Sequence, residues 1–224
     1  MTITFMPLTP VFAAECCGVD ISQPLSSQDA ATIDAGMDEY AVLVFRRDVP
    51  LSTEQHIAFT KNFGDLEPPY TQIRSRDGGR LDSPHLSDVS NLGPSDRILD
   101  HGDRKRLFSL GNQLWHSDSS YKVIPARYSA LCAHVIPPEG GNTEFADMRA
   151  AYDSLDAKTK TLIDELICEH SRIFSKGALG FPFRCSSGSC ALTRKPGANR
   201  CSCRRMPVAF WDGKRRRLCC SCAS

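Results

Sequence analysis

The stretch Gly111-Asn112-Gln113-Leu114-Trp115-His116-Ser117-Asp118-Ser119-Ser120 sets a histidine and an aspartate two positions apart, behind an aromatic shoulder and ahead of small hydroxyl residues. A mononuclear iron site built from two histidines and one carboxylate leaves three coordination positions open for oxygen and a co-substrate. A His-x-Asp pair at the end of a strand is a sensible start for such a site. Leu107-Phe108-Ser109-Leu110 reads as a strand, and the pair follows residues 107–114, so that both side chains could point into a cavity from a strand end. As a bare tripeptide the pattern is weak, because lone histidines usually end as satisfied or half-exposed side chains. A second pair, His101-Gly102-Asp103, lies in the charged run 100–106, which has no apolar anchor and reads as a solvated turn. His56, in an amphipathic helix, and His134, in an alternating strand, read as structural.

Working outward, Ser26 or Ser27 caps a predicted helix towards Tyr40, with Ala30, Ile33 and Met37 as its apolar stripe. Gly36 weakens that helix by its low propensity. Ala41-Val42-Leu43-Val44-Phe45, closed by Arg46, Arg47, Asp48 and Pro50, reads as a short buried strand. Ser52-Thr53-Glu54-Gln55 has the form of a capping box, with Ile57, Phe59 and Phe63 behind it and Gly64 as the stop. Residues 67–106 show neither strand nor helix period and read as a long irregular excursion, of the kind that serves as a functional lid or stays disordered. Residues 127–136 alternate Tyr128, Ala130, Cys132 and His134 against Ser129, Leu131, Ala133 and Val135, the pattern of a strand. Pro137-Pro138-Glu139-Gly140-Gly141 is a turn. Short strands are predicted over 143–146 and 168–174, with a helix capped by Asp156 between them.

The segments Val42-Leu43-Val44-Phe45-Arg46, Phe63-Gly64-Asp65-Leu66-Glu67, Trp115-His116-Ser117-Asp118 and Gly140-Gly141-Asn142-Thr143-Glu144-Phe145-Ala146-Asp147-Met148 follow one another at the spacing of the taurine dioxygenase (TauD/TfdA) family. Within it they most resemble the 2,4-dichlorophenoxyacetate dioxygenases. The resemblance covers residues 3–183. It implies a double-stranded β-helix, or jelly roll, with Fe(II) as cofactor and 2-oxoglutarate as co-substrate. His116 and Asp118 match two of the iron ligands, Thr143 matches the residue that hydrogen-bonds the 2-oxoglutarate carboxylate, and Asn112 matches an asparagine beside the substrate. The implied reaction uses O2 to hydroxylate an aryloxyalkanoate at the carbon next to its ether oxygen. The product hemiacetal collapses to a phenol and glyoxylate, alongside succinate and CO2.

The family's third ligand is a histidine far downstream, followed by an arginine that pairs with 2-oxoglutarate. This chain has no histidine after His170, so the triad is incomplete and no tail arginine is assigned. Composition changes at the same place. Residues 184–224 hold ten Lys or Arg against one acid, and seven of the eleven cysteines. The first 183 residues carry 17 basic and 25 acidic side chains, so a net charge of +1 conceals halves of about −8 and +9.

Three readings of the tail compete. Cys201-Ser202-Cys203 and Cys220-Ser221-Cys222 suggest a soft-metal site, but the spacing of ordinary zinc modules is missing. Lys214-Arg215-Arg216-Arg217 suggests a nucleic-acid arm, although a lone basic run is usually just solvated. A shift of coding frame near Phe183 accounts for all the changes together and is preferred. The expected chain is therefore mainly β with flanking helices: a partial double-stranded β-helix lacking its second half over 1–183, and an unrelated, disordered Cys/Arg-rich tail over 184–224. The functional alternative is an inactive half-barrel that only binds ligands or self-associates.

The 224 residues are 41% hydrophobic and 24% charged, with no apolar run of membrane-spanning length. The N-terminal residues 1–15 contain no Lys or Arg, hence no basic leader region. A cytoplasmic protein is expected, acting on a small molecule and O2, with no membrane or nucleic-acid partner and with homo-oligomers as an open alternative.

Overall fold

The computed structural model describes residues 2–67, 81, 83, 85–93, 96–110, 115–120, 125–164, 169–171 and 190–192. The chain divides into two compact units, Met1–Leu99 with Ala130–Ile136, and Asp100–Ser129 with Pro137–Ser224.

The first unit is built on a three-stranded sheet. Strand β1 (Thr4–Pro7) runs antiparallel to β2 (Ala14–Cys17), and β2 runs parallel to the two-residue β3 (Leu43–Val44). Helix α1 (Ser27–Tyr40) makes the crossover between those parallel strands, as parallel pairing requires. Ser26 is its N-cap and accepts from the Asp29 N–H at 3.0 Å, as the sequence predicts. The predicted stripe is seated at its centre, where Ile33 is 1% exposed. Gly36 has a steric reason: a Cβ there would meet the Phe5 ring at 2.5 Å. Ala41 ends the helix in the left-handed region, φ 61°, and its N–H bonds the Met37 carbonyl.

The predicted capping box is present on α2 (Thr53–Lys61). The Gln55 N–H donates to Ser52 Oγ at 3.2 Å, and the Ser52 N–H donates to Gln55 Oε1 at 2.9 Å. Phe59 stacks edge-on against both Phe45 and Phe63, with ring centroids 5.3 Å apart in each pair. Two ion pairs cross this unit, Arg46 to Glu15 and Arg47 to Asp20, both at 2.7 Å. Beyond α2 the described part of the long excursion is irregular as far as residue 103, with a bridge between Leu92 and Ile98, whereas residues 104–106, read as its end, open a helix.

In the second unit three predicted strands are corrected. Residues 107–110 belong to helix α3 (Arg104–Leu110). Asp103 Oδ1 accepts from the N–H groups of Lys105 at 2.7 Å and Arg106 at 3.3 Å, and its carbonyl accepts from the Leu107 N–H. A helix cap at Asp103 thus overrides the apolar run that follows it. Residues 143–146 are irregular and follow Gly140 and Gly141, whose φ values of 73° and 66° send the chain through left-handed turns. Residues 127–136, the last seven of which belong to the first unit, form no strand. Their alternation meets no neighbouring strand among the described residues, and Leu131, Val135 and Ile136 stand exposed.

Helices α4 (Met148–Asp153) and α5 (Ala157–Asp164) follow, and Asp156 caps α5 by accepting from the Thr159 N–H at 2.9 Å. Strand β4 (Glu169–Ser171) falls inside the predicted strand 168–174 and pairs antiparallel with β5 (Cys190–Leu192), beyond Phe183. Among the described residues the chain combines a small sheet of short strands with helices. No described helix is long and apolar enough to cross a membrane.

Candidate metal centre

Residues 115–117 belong to no regular element and lead into a turn over 118–120. His116 Nε2 lies 3.3 Å from Asp118 Oδ1, and the two side chains are 30% and 42% exposed. Ser119 then takes a left-handed conformation, φ 56°, and turns the chain away directly after the aspartate.

The second carboxylate oxygen is also engaged. Ser129 Oγ donates to Asp118 Oδ2 at 2.7 Å, from eleven residues downstream. The hydrogen bond from His116 holds the Asp118 carboxyl below the usual carboxylate range, against partial desolvation and with help from Ser129. Asp118 is an anion at neutral pH.

This donor set fits a divalent metal ion. Two donors bound about 2.1 Å from an ion at right angles to each other lie about 3.0 Å apart, close to the observed separation. Imidazole nitrogen with carboxylate oxygen suits iron(II) or manganese(II). Among the described residues no third His, Cys, Asp or Glu joins them in a cluster.

The other sequence-nominated positions lie elsewhere. Thr143 is exposed beyond the Gly140-Gly141 turn and makes no hydrogen bond to the pair among the described residues. Asn112 lies outside the described residues. In the rival pair, Asp103 is taken up as the α3 cap and His101 is exposed in the preceding turn. Ser129 carried no sequence signal: it sits within a stretch read as an alternating strand, and nothing in its neighbours ties it to Asp118. Asp147, within the glycine-led segment, is also committed structurally. It caps α4 through the Arg149 N–H and pairs with the Arg149 guanidinium at 3.1 and 3.2 Å.

Residues 4–220 match the family model described as "Taurine catabolism dioxygenase TauD, TfdA family". The chain is 42% identical over 180 residues to the alpha-ketoglutarate-dependent 2,4-dichlorophenoxyacetate dioxygenase of Cupriavidus pinatubonensis, covering 80% of this chain and 62% of that one. It is 34% identical over 186 residues to the (S)-phenoxypropionate/alpha-ketoglutarate-dioxygenase of Sphingobium herbicidovorans, covering 81% and 58% respectively. The chain thus spans about three-fifths of the length of these curated relatives. Among solved structures, AAD-2 in complex with Mn(II) and N-oxalylglycine superposes with a TM-score of 0.78 at 42% identity, covering 93% of this chain and 73% of that one.

Proposed function

Because the chain belongs to the taurine catabolism dioxygenase TauD, TfdA family, we propose that it is an Fe(II)/2-oxoglutarate-dependent dioxygenase that hydroxylates an aryloxyalkanoate such as 2,4-dichlorophenoxyacetate. The observation that carries this reading is the His116–Asp118 pair at 3.3 Å, set in the family's His-x-Asp motif. The relatives named for this substrate class, and the solved neighbour holding Mn(II) with N-oxalylglycine, in which an NH replaces a methylene of 2-oxoglutarate, support it.

In this proposal His116 Nε2 and Asp118 Oδ1 would hold the metal, Thr143 would bond the 2-oxoglutarate carboxylate, and Asn112 would serve beside the substrate. Iron(II), when bound, would supply the activation of O2, one atom of which is used in oxidising 2-oxoglutarate to succinate and CO2 while the other goes to the substrate. That oxygen enters the carbon next to the ether oxygen. The hemiacetal then breaks its bond to the ether oxygen, releasing the phenol and leaving glyoxylate. The anionic Asp118 offsets metal charge, and its low pKa keeps it from being protonated near neutral pH.

The proposal includes a partial double-stranded β-helix over 1–183, supported by the structural neighbour, and a tail over 184–224 that takes no part in the site. It also places the protein in the cytoplasm, with O2 and a small-molecule substrate as its partners. The second reading is an inactive half-barrel that binds metal without turnover. Phenol release should be assayed with Fe(II), ascorbate, 2-oxoglutarate and 2,4-dichlorophenoxyacetate, for the natural chain and for His116→Ala and Asp118→Asn. Turnover lost in both variants supports the dioxygenase. Metal binding without turnover in the natural chain supports the second reading, and metal binding unaffected by either substitution overturns both.

A further inference from the structure

We propose that Ser129 is a positioning residue for the metal-binding carboxylate of Asp118, holding Oδ2 so that Oδ1 alone faces the ion. The inference rests on the reading of His116 and Asp118 as metal ligands. A carboxylate has two oxygens and about four acceptor directions, and an aspartate side chain that turns about its χ2 bond can bind a cation through one oxygen or both. The number of oxygens used decides how many coordination positions stay open. With two protein ligands bound through one atom each, four of six positions remain; a carboxylate bound through both oxygens removes one of them. Here the two oxygens are given different work. Oδ1 lies 3.3 Å from His116 Nε2, where the two can share an ion, and Oδ2 accepts the Ser129 hydroxyl at 2.7 Å. That distance is ordinary for a well-formed hydroxyl hydrogen bond.

The local backbone makes such a tether useful. His116 lies outside any regular element and Asp118 in the turn that follows it, and Asp118 is 42% exposed. Packing therefore does little to fix its rotamer. Among the described side chains other than His116, Ser129 is the hydrogen-bond partner the carboxylate has. Outer partners of this kind orient ligands and typically change metal affinity about 10- to 100-fold when removed.

The test measures binding of Mn(II), then of 2-oxoglutarate to the Mn(II)-loaded protein, by calorimetry on the full chain. It compares the natural sequence with Ser129→Ala, Ser129→Thr, His116→Ala and Asp118→Ala. Ser129 is exposed, so the alanine variant should keep the natural circular-dichroism spectrum. Expected are roughly 10-fold weaker Mn(II) binding in Ser129→Ala, a further loss of 2-oxoglutarate affinity as the released carboxylate closes a position, and recovery of both in Ser129→Thr, which keeps the hydroxyl. With Co(II) in place of Mn(II), the visible absorption of Ser129→Ala should weaken relative to the natural chain, the mark of a higher coordination number. If both His116→Ala and Asp118→Ala lose Mn(II) while Ser129→Ala binds both ligands as the natural chain does, the role of Ser129 is overturned and the metal site stands. If His116→Ala binds Mn(II) unchanged, the metal site itself falls.

Discussion

His56 is half-buried on α2, and it illustrates how one titratable side chain can set the acid tolerance of this chain. Burial holds its imidazole below the ordinary value of 6.5, opposed by a hydrogen bond with the Ala130 backbone and assisted by nearby His134. The native state therefore prefers the neutral ring more strongly than the unfolded chain does. Between the depressed native pKa and 6.5 the unfolded state binds the extra proton, so stability rises with pH there; it is complete above 6.5 and is lost as pH falls through the native value. We predict that the melting temperature drops on acidification below pH 6.5, and that His56→Gln flattens the part of the drop due to this residue. A His56→Gln profile identical in shape to that of the natural chain would contradict the assignment. The structural role read for His56 in the sequence agrees with this placement. Its partner could not have been foreseen, because Ala130 lies 74 positions away and offers only backbone.

At the scale of the element, α1 shows local rules and tertiary packing pulling in opposite directions. By propensity, Gly36→Ala should stabilise the helix by about 1 kcal/mol. Its Cβ would be driven to 2.5 Å from the Phe5 ring, which is itself held near Tyr40 with ring centroids 5.7 Å apart. Overpacking of this kind costs about 1–3 kcal/mol, so the substitution should destabilise in chemical denaturation. Ala41→Gly should do the reverse. Ala41 occupies a left-handed position at φ 61°, which costs a residue with a Cβ roughly 1–2 kcal/mol; the extra entropy of glycine in the unfolded chain takes back part of the gain. A rise in stability of about 0.5–1 kcal/mol is expected, and a fall would show that the terminus is not held as described.

The same element shows what was legible. Caps are written in adjacent residues, so Ser26, the Ser52–Gln55 box and Asp156 were readable from sequence. The clash behind Gly36 was not, because it depends on a strand 31 positions earlier. Residues 107–110 were misread because so short a run, Leu107-Phe108-Ser109-Leu110, fits a strand or a helix, and Asp103, the deciding cap, had been read as part of a solvated turn.

Across the whole chain, the candidate site was legible where its partners are close in sequence and illegible where they are not: His116 and Asp118 meet because they are two residues apart, while Ser129 reaches Asp118 from a stretch read as an alternating strand. Stability is distributed as unevenly. Among the described residues the buried apolar side chains are Ala13, Ala14, Cys16, Ile21, Ile33, Val42 and Leu51, all within the first 51 positions. Residues 130–136 belong to the same compact unit, yet Leu131, Val135 and Ile136 are 53%, 78% and 80% exposed, and no described strand pairs with them. Amide exchange follows opening free energy, which is highest where hydrogen-bonded backbone is covered by buried apolar groups and near zero where it is not. Strand β2, bonded on both sides and carrying buried Ala14 and Cys16, together with the centre of α1 around Ile33, should exchange slowest in the chain. Residues 128–134 should exchange within the first seconds of labelling. Mass-spectrometric exchange on the full chain at neutral pH checks both expectations together. Slow exchange over 128–134 would mean that these alternating residues are paired after all, and that the strand predicted from their pattern forms in solution.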